Sequence, residues 1–201
     1  MQRKTIIGLS LGLVLAFSNS LSLQAENSDF SGDFLLGYRS VSLSGPGAVS
    51  NYKEDYNLYS GARLYNFNLS YTPRNELKKI FDNLRVQMYN MGGDPFETMS
   101  ISLQKYGKYL LQYDRRKANY FYNDLNVGAG GEPYDLHTFD FDRVRDSGLA
   151  KVFLAKQADL YLSFDRYTKK GSSTTTMDIS RLEFEMDKPI QEESKEVTVG
   201  L

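Results

Sequence analysis

The chain has 201 residues, 24 basic against 25 acidic, a mean hydropathy of −0.46, and neither cysteine nor tryptophan. Without cysteine there is no disulfide scaffold, no thiolate metal site, no iron–sulfur cluster and no covalently attached c-type haem, and the balanced charge argues against nucleic-acid binding, which rests on clustered Lys and Arg. A chain this polar that still holds 15 Tyr and 12 Phe spreads its apolar residues thinly, which suits alternating strands.

Residues 1–25 read as a secretory signal peptide. Arg3 and Lys4 form a positive start, Ile6 to Phe17 is an apolar stretch, and Leu23-Gln24-Ala25 gives a small-residue cleavage pattern. The stretch is shorter than the roughly 20 apolar residues of a membrane-spanning helix. Residues 26–201 are then the exported part, expected to be a β-barrel portion, and no apolar window in them is long enough for a helical span.

From Phe34-Leu36-Tyr38 onward the pattern has a period of two. Tyr65, Phe67, Leu69 and Tyr71 alternate with Asn66, Asn68 and Ser70. Leu84, Val86 and Met88 alternate with Arg85 and Gln87; Ile101 and Leu103 with Ser102 and Gln104; Tyr109, Leu111 and Tyr113 with Gln112 and Asp114. Further on, Phe139 and Phe141 alternate with Asp140 and Asp142, Leu160, Leu162 and Phe164 with Ser163 and Asp165, Leu182, Phe184 and Met186 with Glu183 and Glu185, and Val197 and Val199 with Glu196 and Thr198. This predicts about nine or ten strands of roughly eight to eleven residues.

Turn signals separate them at Ser44-Gly45-Pro46-Gly47, Gly92-Gly93-Asp94-Pro95, 128–133, Lys170-Gly171-Ser172 and Asp187-Lys188-Pro189. Long connections are expected at about 44–61 and 116–134, with tight ones at Tyr106-Gly107-Lys108 and 155–158. A helical turn or two is expected at 75–81. The stretch 136–155 reads equally as one strand or as two joined at Asp146-Ser147-Gly148.

Alternation serves a soluble sandwich or a membrane barrel equally well. The export signal, strands near the length that crosses a bilayer at a tilt, and Tyr71, Tyr89, Tyr106 and Tyr167 at expected strand ends favour the barrel. The fold class expected is all-β, an antiparallel transmembrane β-barrel in the outer membrane. Lumen-facing candidates are Arg85, Gln87, Gln104, Gln112, Asp114, Asp140, Asp142 and Asp165, and lipid-facing candidates are Phe67, Leu69, Leu103, Leu111, Leu162 and Phe184.

Several segments resemble the outer-membrane barrels associated with decahaem cytochromes, the MtrB/PioB type. They are Gly92-Gly93-Asp94-Pro95-Phe96-Glu97-Thr98, the run from Tyr113 to Tyr122, the run from Asp135 to Arg143, and Phe164-Asp165-Arg166-Tyr167 with Gly171 to Thr176. The resemblance implies a porin-like sheath around a multihaem c-type cytochrome in a trans-outer-membrane electron conduit. Haem is then expected only in the partner, with no cofactor bound directly. Such barrels use more than twenty strands, so this chain reads as an N-terminal portion. A general diffusion porin, a small outer-membrane barrel without cytochrome and a secreted β-sandwich binding protein are the alternatives.

No enzymatic constellation is found. His137 is the single histidine, so neither a histidine metal cluster nor a catalytic triad with spare partners can be assembled. Asp140, Asp142 and Asp146 read as an acidic strand face before they read as calcium ligands or a glycosidase pair. The basic run Arg115-Arg116-Lys117 could meet phosphates or an acidic partner, and reads first as solvated. Gly92-Gly93-Asp94-Pro95 lacks the Lys-Ser/Thr and the following helix of a phosphate loop.

Overall fold

A computed structural model describes residues 30–43, 49–74, 80–127, 133–155, 158–179 and 182–201. The signal peptide and most of the expected helical turn at 75–81 lie outside them.

Eight strands run in chain order: β1 (Phe30–Arg39), β2 (Gly61–Tyr71), β3 (Asn83–Met91), β4 (Phe96–Lys105), β5 (Tyr109–Val127), β6 (Pro133–Ala155), β7 (Ala158–Ile179) and β8 (Leu182–Gly200). One short helix, α1 (Val49–Asp55), stands between β1 and β2. Every strand pairs antiparallel with its neighbours in sequence, which makes one meandering sheet in the order β1 to β8. The chain is therefore all-β, as its alternation requires. The described sheet is open: β1 and β8 each have one paired side, so the expected barrel is not closed by these residues.

The strands fall into two classes. Those from β1 to β4 have 9 to 11 residues, whereas β5 to β8 have 19 to 23. At about 3.3 Å per residue the long strands reach roughly 63–76 Å. They absorb several expected breaks. The connection expected across 116–134 is mostly strand, with only 128–132 between β5 and β6. Residues 133–155 form the single strand β6, and Lys170-Gly171-Ser172 and Asp187-Lys188-Pro189 lie inside β7 and β8. Tyr167 is likewise mid-strand.

Two of these misread signals have simple explanations. Pro189 cannot donate to a ladder, and it is accommodated in β8, an edge strand of the described sheet, the place in a sheet where proline is tolerated. Gly171 is required by a close approach: a Cβ there would lie 2.0 Å from the Asp140 carbonyl oxygen and 2.5 Å from the Phe141 Cα. The tight turns at 92–95 and 106–108 do appear, with Gly92, Gly93 and Gly107 at positive φ.

An irregularity between Leu35 and Leu36 changes the reading of β2. Asn66 pairs with Leu35 while Leu64 pairs with Leu36, so Tyr65 is the extra residue of a bulge. Its ring lies beside Gly37 and under the Arg39 guanidinium, at 5.9 Å from Cζ, and so leaves the face of Phe67, Leu69 and Tyr71.

Candidate functional site

Between the irregularities at Leu35/Leu36, Asp124/Asn126 and Phe153/Ala155 the register is continuous, and it assigns each side chain there to a face. One face, here the Leu face, carries Leu69, Leu103, Leu111 and Leu162; the other, the Gln face, carries Gln87, Gln104 and Gln112. On the Leu face Phe30, Tyr71, Leu84, Leu103, Leu111, Ala150, Leu162 and Val199 are successive cross-strand partners in one row across all eight strands. The next row is Gly32, Leu69, Val86, Ile101, Tyr113, Gly148, Phe164 and Val197.

Above these rows the sheet divides. Under β1 to β4 the third row is still apolar, with Phe34, Phe67, Met88 and Met99, but in β5 to β8 it becomes Arg115, Asp146, Arg166 and Lys195. Below, the division reverses: Lys105 ends β4, while Tyr109, Val152 and Leu160 continue the apolar rows. The band therefore shifts by one row between the two halves of the sheet.

Ion pairs mark its limits. On the upper side Arg115 meets Asp146 at 3.2 Å, Lys117 meets Asp142 at 3.0 Å, and Glu193 joins Arg166 at 2.7 Å to Lys195 at 3.0 Å. On the lower side Lys105 meets Asp82 at 3.5 Å.

Among the described residues no second layer covers the band, although Phe81 meets Tyr71 edge-on at 5.7 Å at its lower margin. Leu162 is 49% exposed, Val199 67% and Val197 69%, and the one apolar side chain that is buried among the described residues, Phe141, lies elsewhere. A sheet face of this kind in water forfeits about 25 cal/mol for each Å² of apolar surface that it could have buried.

Beyond the ion-paired row the polarity of the long strands inverts. The Leu face now bears Asn119, Asp140, Asp142, Lys170 and Asp187, while the Gln face bears Tyr120, Tyr122, Phe139, Phe141, Met177, Phe184 and Met186. Tyr120 stacks on Phe141 at 5.1 Å, and Arg143 and Lys169 lie over the Phe141 ring at 5.0 and 4.8 Å. Three of the expected assignments are thereby separated from their groups. Asp140 and Asp142 share the face of Leu111 and Leu162, and Phe184 shares the face of Gln112. The other lumen candidates, Arg85, Gln87, Gln104, Gln112, Asp114 and Asp165, do lie on one face, and Phe67, Leu69, Leu103, Leu111 and Leu162 on the other. Nothing in local alternation reveals the inversion, because each half of a long strand alternates correctly by itself.

The Gln face holds two adjoining grooves. One, of about 350 Å³, is lined by Gln112, Asp114, Ser163, Asp165, Glu196 and Thr198. The second, of about 530 Å³, lies one row higher among Phe96, Thr98, Arg116, Arg143, Arg145, Asp165 and Tyr167. Arg145 Nε donates to Asp165 at 2.7 Å and links the two. Alternation also splits the basic run at 115–117: Arg115 and Lys117 are ion-paired on the Leu face, and Arg116 stands on the Gln face.

At the upper end of the short strands Asp94 ties three elements together. It is ion-paired with Arg39 of β1 and lies 3.3 Å from Nε of Arg63 in β2; Arg63 is 4% exposed and also donates to the carbonyl of Ala62 at 3.0 Å. Glu97 Oε1 accepts from the backbone N–H groups of Gly92 and Gly93 at 3.2 and 2.6 Å. The Gly-Gly-Asp-Pro-Phe-Glu segment is thus a turn lock, as the absence of a phosphate-loop pattern implies. Arg63 has no sequence signal, since it follows Gly61-Ala62 at the polar start of a strand.

Helix α1 covers the Leu face of β5 above the ion-paired row. Lys53 lies over the Phe121 ring at 5.1 Å, Glu54 accepts from the Asn123 N–H, and Asn57 bonds Asn119. Tyr52 donates to the Leu58 carbonyl at 3.1 Å, and burial raises its phenol above the usual tyrosine value.

His137 is exposed at the far end of β6, and among the described residues no group of three His, Asp or Glu could hold a metal ion. No helix among them is long and apolar enough to cross a membrane, which leaves strand crossing open. No family model, curated protein or solved structure matches this sequence.

Proposed function

We propose that this chain is part of the wall of an outer-membrane β-barrel, a porin-like sheath for a multihaem c-type cytochrome in an electron conduit across that membrane. The observation that carries the membrane part is the uncovered apolar band that crosses all eight strands and is edged by ion pairs. Lipid is the natural cover for such a band, because a single-layered sheet offers no second layer to bury it. The strand lengths support the same reading, since 9 to 11 residues cross a bilayer at a tilt. So does the one-row shift of the band, because tilted strands meet a flat membrane at progressively different positions along their lengths. Closure of the barrel requires further strands at β1 and β8, whose free edges are costly in lipid.

On this reading the Gln face lines the interior. The long strands β5 to β8 project past the membrane on the side of α1, where their apolar patch turns inward. The sheath role comes from the motif resemblance together with this inward patch. A diffusion porin is the second reading, favoured by the charged grooves on the Gln face.

Fractionation decides between them. The sheath predicts that the full-length protein enters the outer membrane and co-purifies with a haem-staining protein at fixed stoichiometry. Outer-membrane protein that conducts ions but carries no haem assigns the diffusion porin. Recovery in the soluble periplasmic fraction overturns both.

A further inference from the structure

We propose that the upper groove of the Gln face is a binding site for a small dissolved anion bearing phosphate or carboxylate groups, held by Arg116 and Arg143. The assignment of this face to the interior rests on the barrel reading above; the binding site itself does not.

The first argument is a charge arrangement that the fold leaves uncompensated. Arg116 of β5 and Arg145 of β6 are direct cross-strand partners on one face, and like charges placed so repel. Arg145 is bonded to Asp165. Among the described residues no carboxylate pairs with Arg116 or Arg143, and Arg143 instead lies over the rings of Tyr120 and Phe141 at 5.7 and 5.0 Å. A guanidinium resting on an aromatic face keeps its in-plane N–H groups free to donate, and the planar fork matches carboxylate and phosphate oxygens.

The second argument is shape. The groove of about 530 Å³ falls within the range of small-ligand sites, with Phe96 and Tyr167 as walls and the Thr98 hydroxyl beside Arg116. The third is the contrast with the other face. Arg115 and Lys117, the immediate chain neighbours of Arg116, are already paired with Asp146 and Asp142. On the Leu face the neighbours of Arg116 are thus engaged, whereas on the Gln face Arg116 and Arg143 have no carboxylate partner among the described residues. The barrel reading turns the face that bears these two guanidiniums away from lipid, which favours a dissolved anion over a lipid headgroup.

The test is equilibrium dialysis of inorganic phosphate and of citrate against the full-length protein in phosphate-free detergent. Saturable binding is expected, weakened about tenfold by Arg116→Gln or Arg143→Gln, the loss expected for one charge-assisted fork, and unchanged by Lys195→Gln on the Leu face. Arg116→Lys, which keeps the charge and loses the fork, is expected to fall between. Equal binding by all four variants overturns the proposal. Competition by lipopolysaccharide, relieved in Arg116→Gln, overturns the dissolved-anion assignment. Conductance in planar bilayers is measured on the same preparations: anion binding without a pore keeps the site and rejects the barrel interior, and a pore without anion binding does the reverse.

Discussion

Arginine placed at Leu162 measures the depth and the side of the apolar band together. Leu162 is the middle of the three band residues of β7, between Leu160 and Phe164, and four residues below Arg166. Four residues span about 13 Å along a strand, which a tilt of about 40° reduces to a depth of about 10 Å. In an apolar belt about 25 Å tall this is close to the midplane, where Arg costs roughly 2–4 kcal/mol. The folding equilibrium constant should therefore fall by about 30- to 900-fold. Ser163→Arg, one residue away on the Gln face, should cost under about 1 kcal/mol. Phe184→Arg should also be mild, because Phe184 pairs with Met177 on the Gln face beyond the ion-paired row. The assay is reversible urea unfolding of the full-length protein from phospholipid vesicles. If Leu162→Arg and Phe184→Arg cost the same, either the band or the inversion of polarity is wrong.

Three further outcomes follow from local geometry. Asp94→Ala leaves Arg63, 4% exposed, without its counter-ion and should cost about 3–5 kcal/mol, read as a loss of urea midpoint and as loosening of the 92–95 turn in hydrogen exchange. Gly171→Val drives side-chain atoms into the backbone of β6 and should cost about 1–3 kcal/mol, whereas Gly93→Ala, with open space around its position, should cost only the strain of its positive φ. Tyr52, whose phenol is raised by burial, contributes stability that is complete below the unfolded tyrosine value of about pH 10 and is lost as pH rises through the higher folded value. Alkaline titration should thus loosen α1 in hydrogen exchange, and Tyr52→Phe should abolish that dependence.

Alternation made the β character and the common face of Phe67, Leu69, Leu103, Leu111 and Leu162 legible, because register preserves what a period of two prescribes locally. The continuity of β5 to β8 was not legible, since Gly171 and Pro189 are ordinary turn signals whose tolerance depends on a neighbouring backbone and on an edge position. The opposite placement of Asp142 and Asp114 was hidden for a related reason. Twenty-eight positions of chain and one reversal separate them, and only the continuous stretch of ladder between β5 and β6 from Tyr109 to Asp124 fixes their relative side. The bulge at Tyr65 and the buried Arg63 depend on partners in β1 and in the 92–95 turn, far along the chain. The grooves followed from the same ladder, which alone shows that Arg116 and Arg145 stand opposite each other.

The central claim is that the Leu face meets lipid and the Gln face does not. Because the chain has no cysteine, single substitutions Leu103→Cys, Leu162→Cys, Gln104→Cys and Ser163→Cys can each carry an environment-sensitive fluorophore in the otherwise native protein reconstituted in vesicles. The account predicts quenching by brominated lipid at 103 and 162, and quenching by aqueous iodide at 104 and 163. Equal lipid quenching at neighbouring positions, or access to iodide at all four, would contradict it.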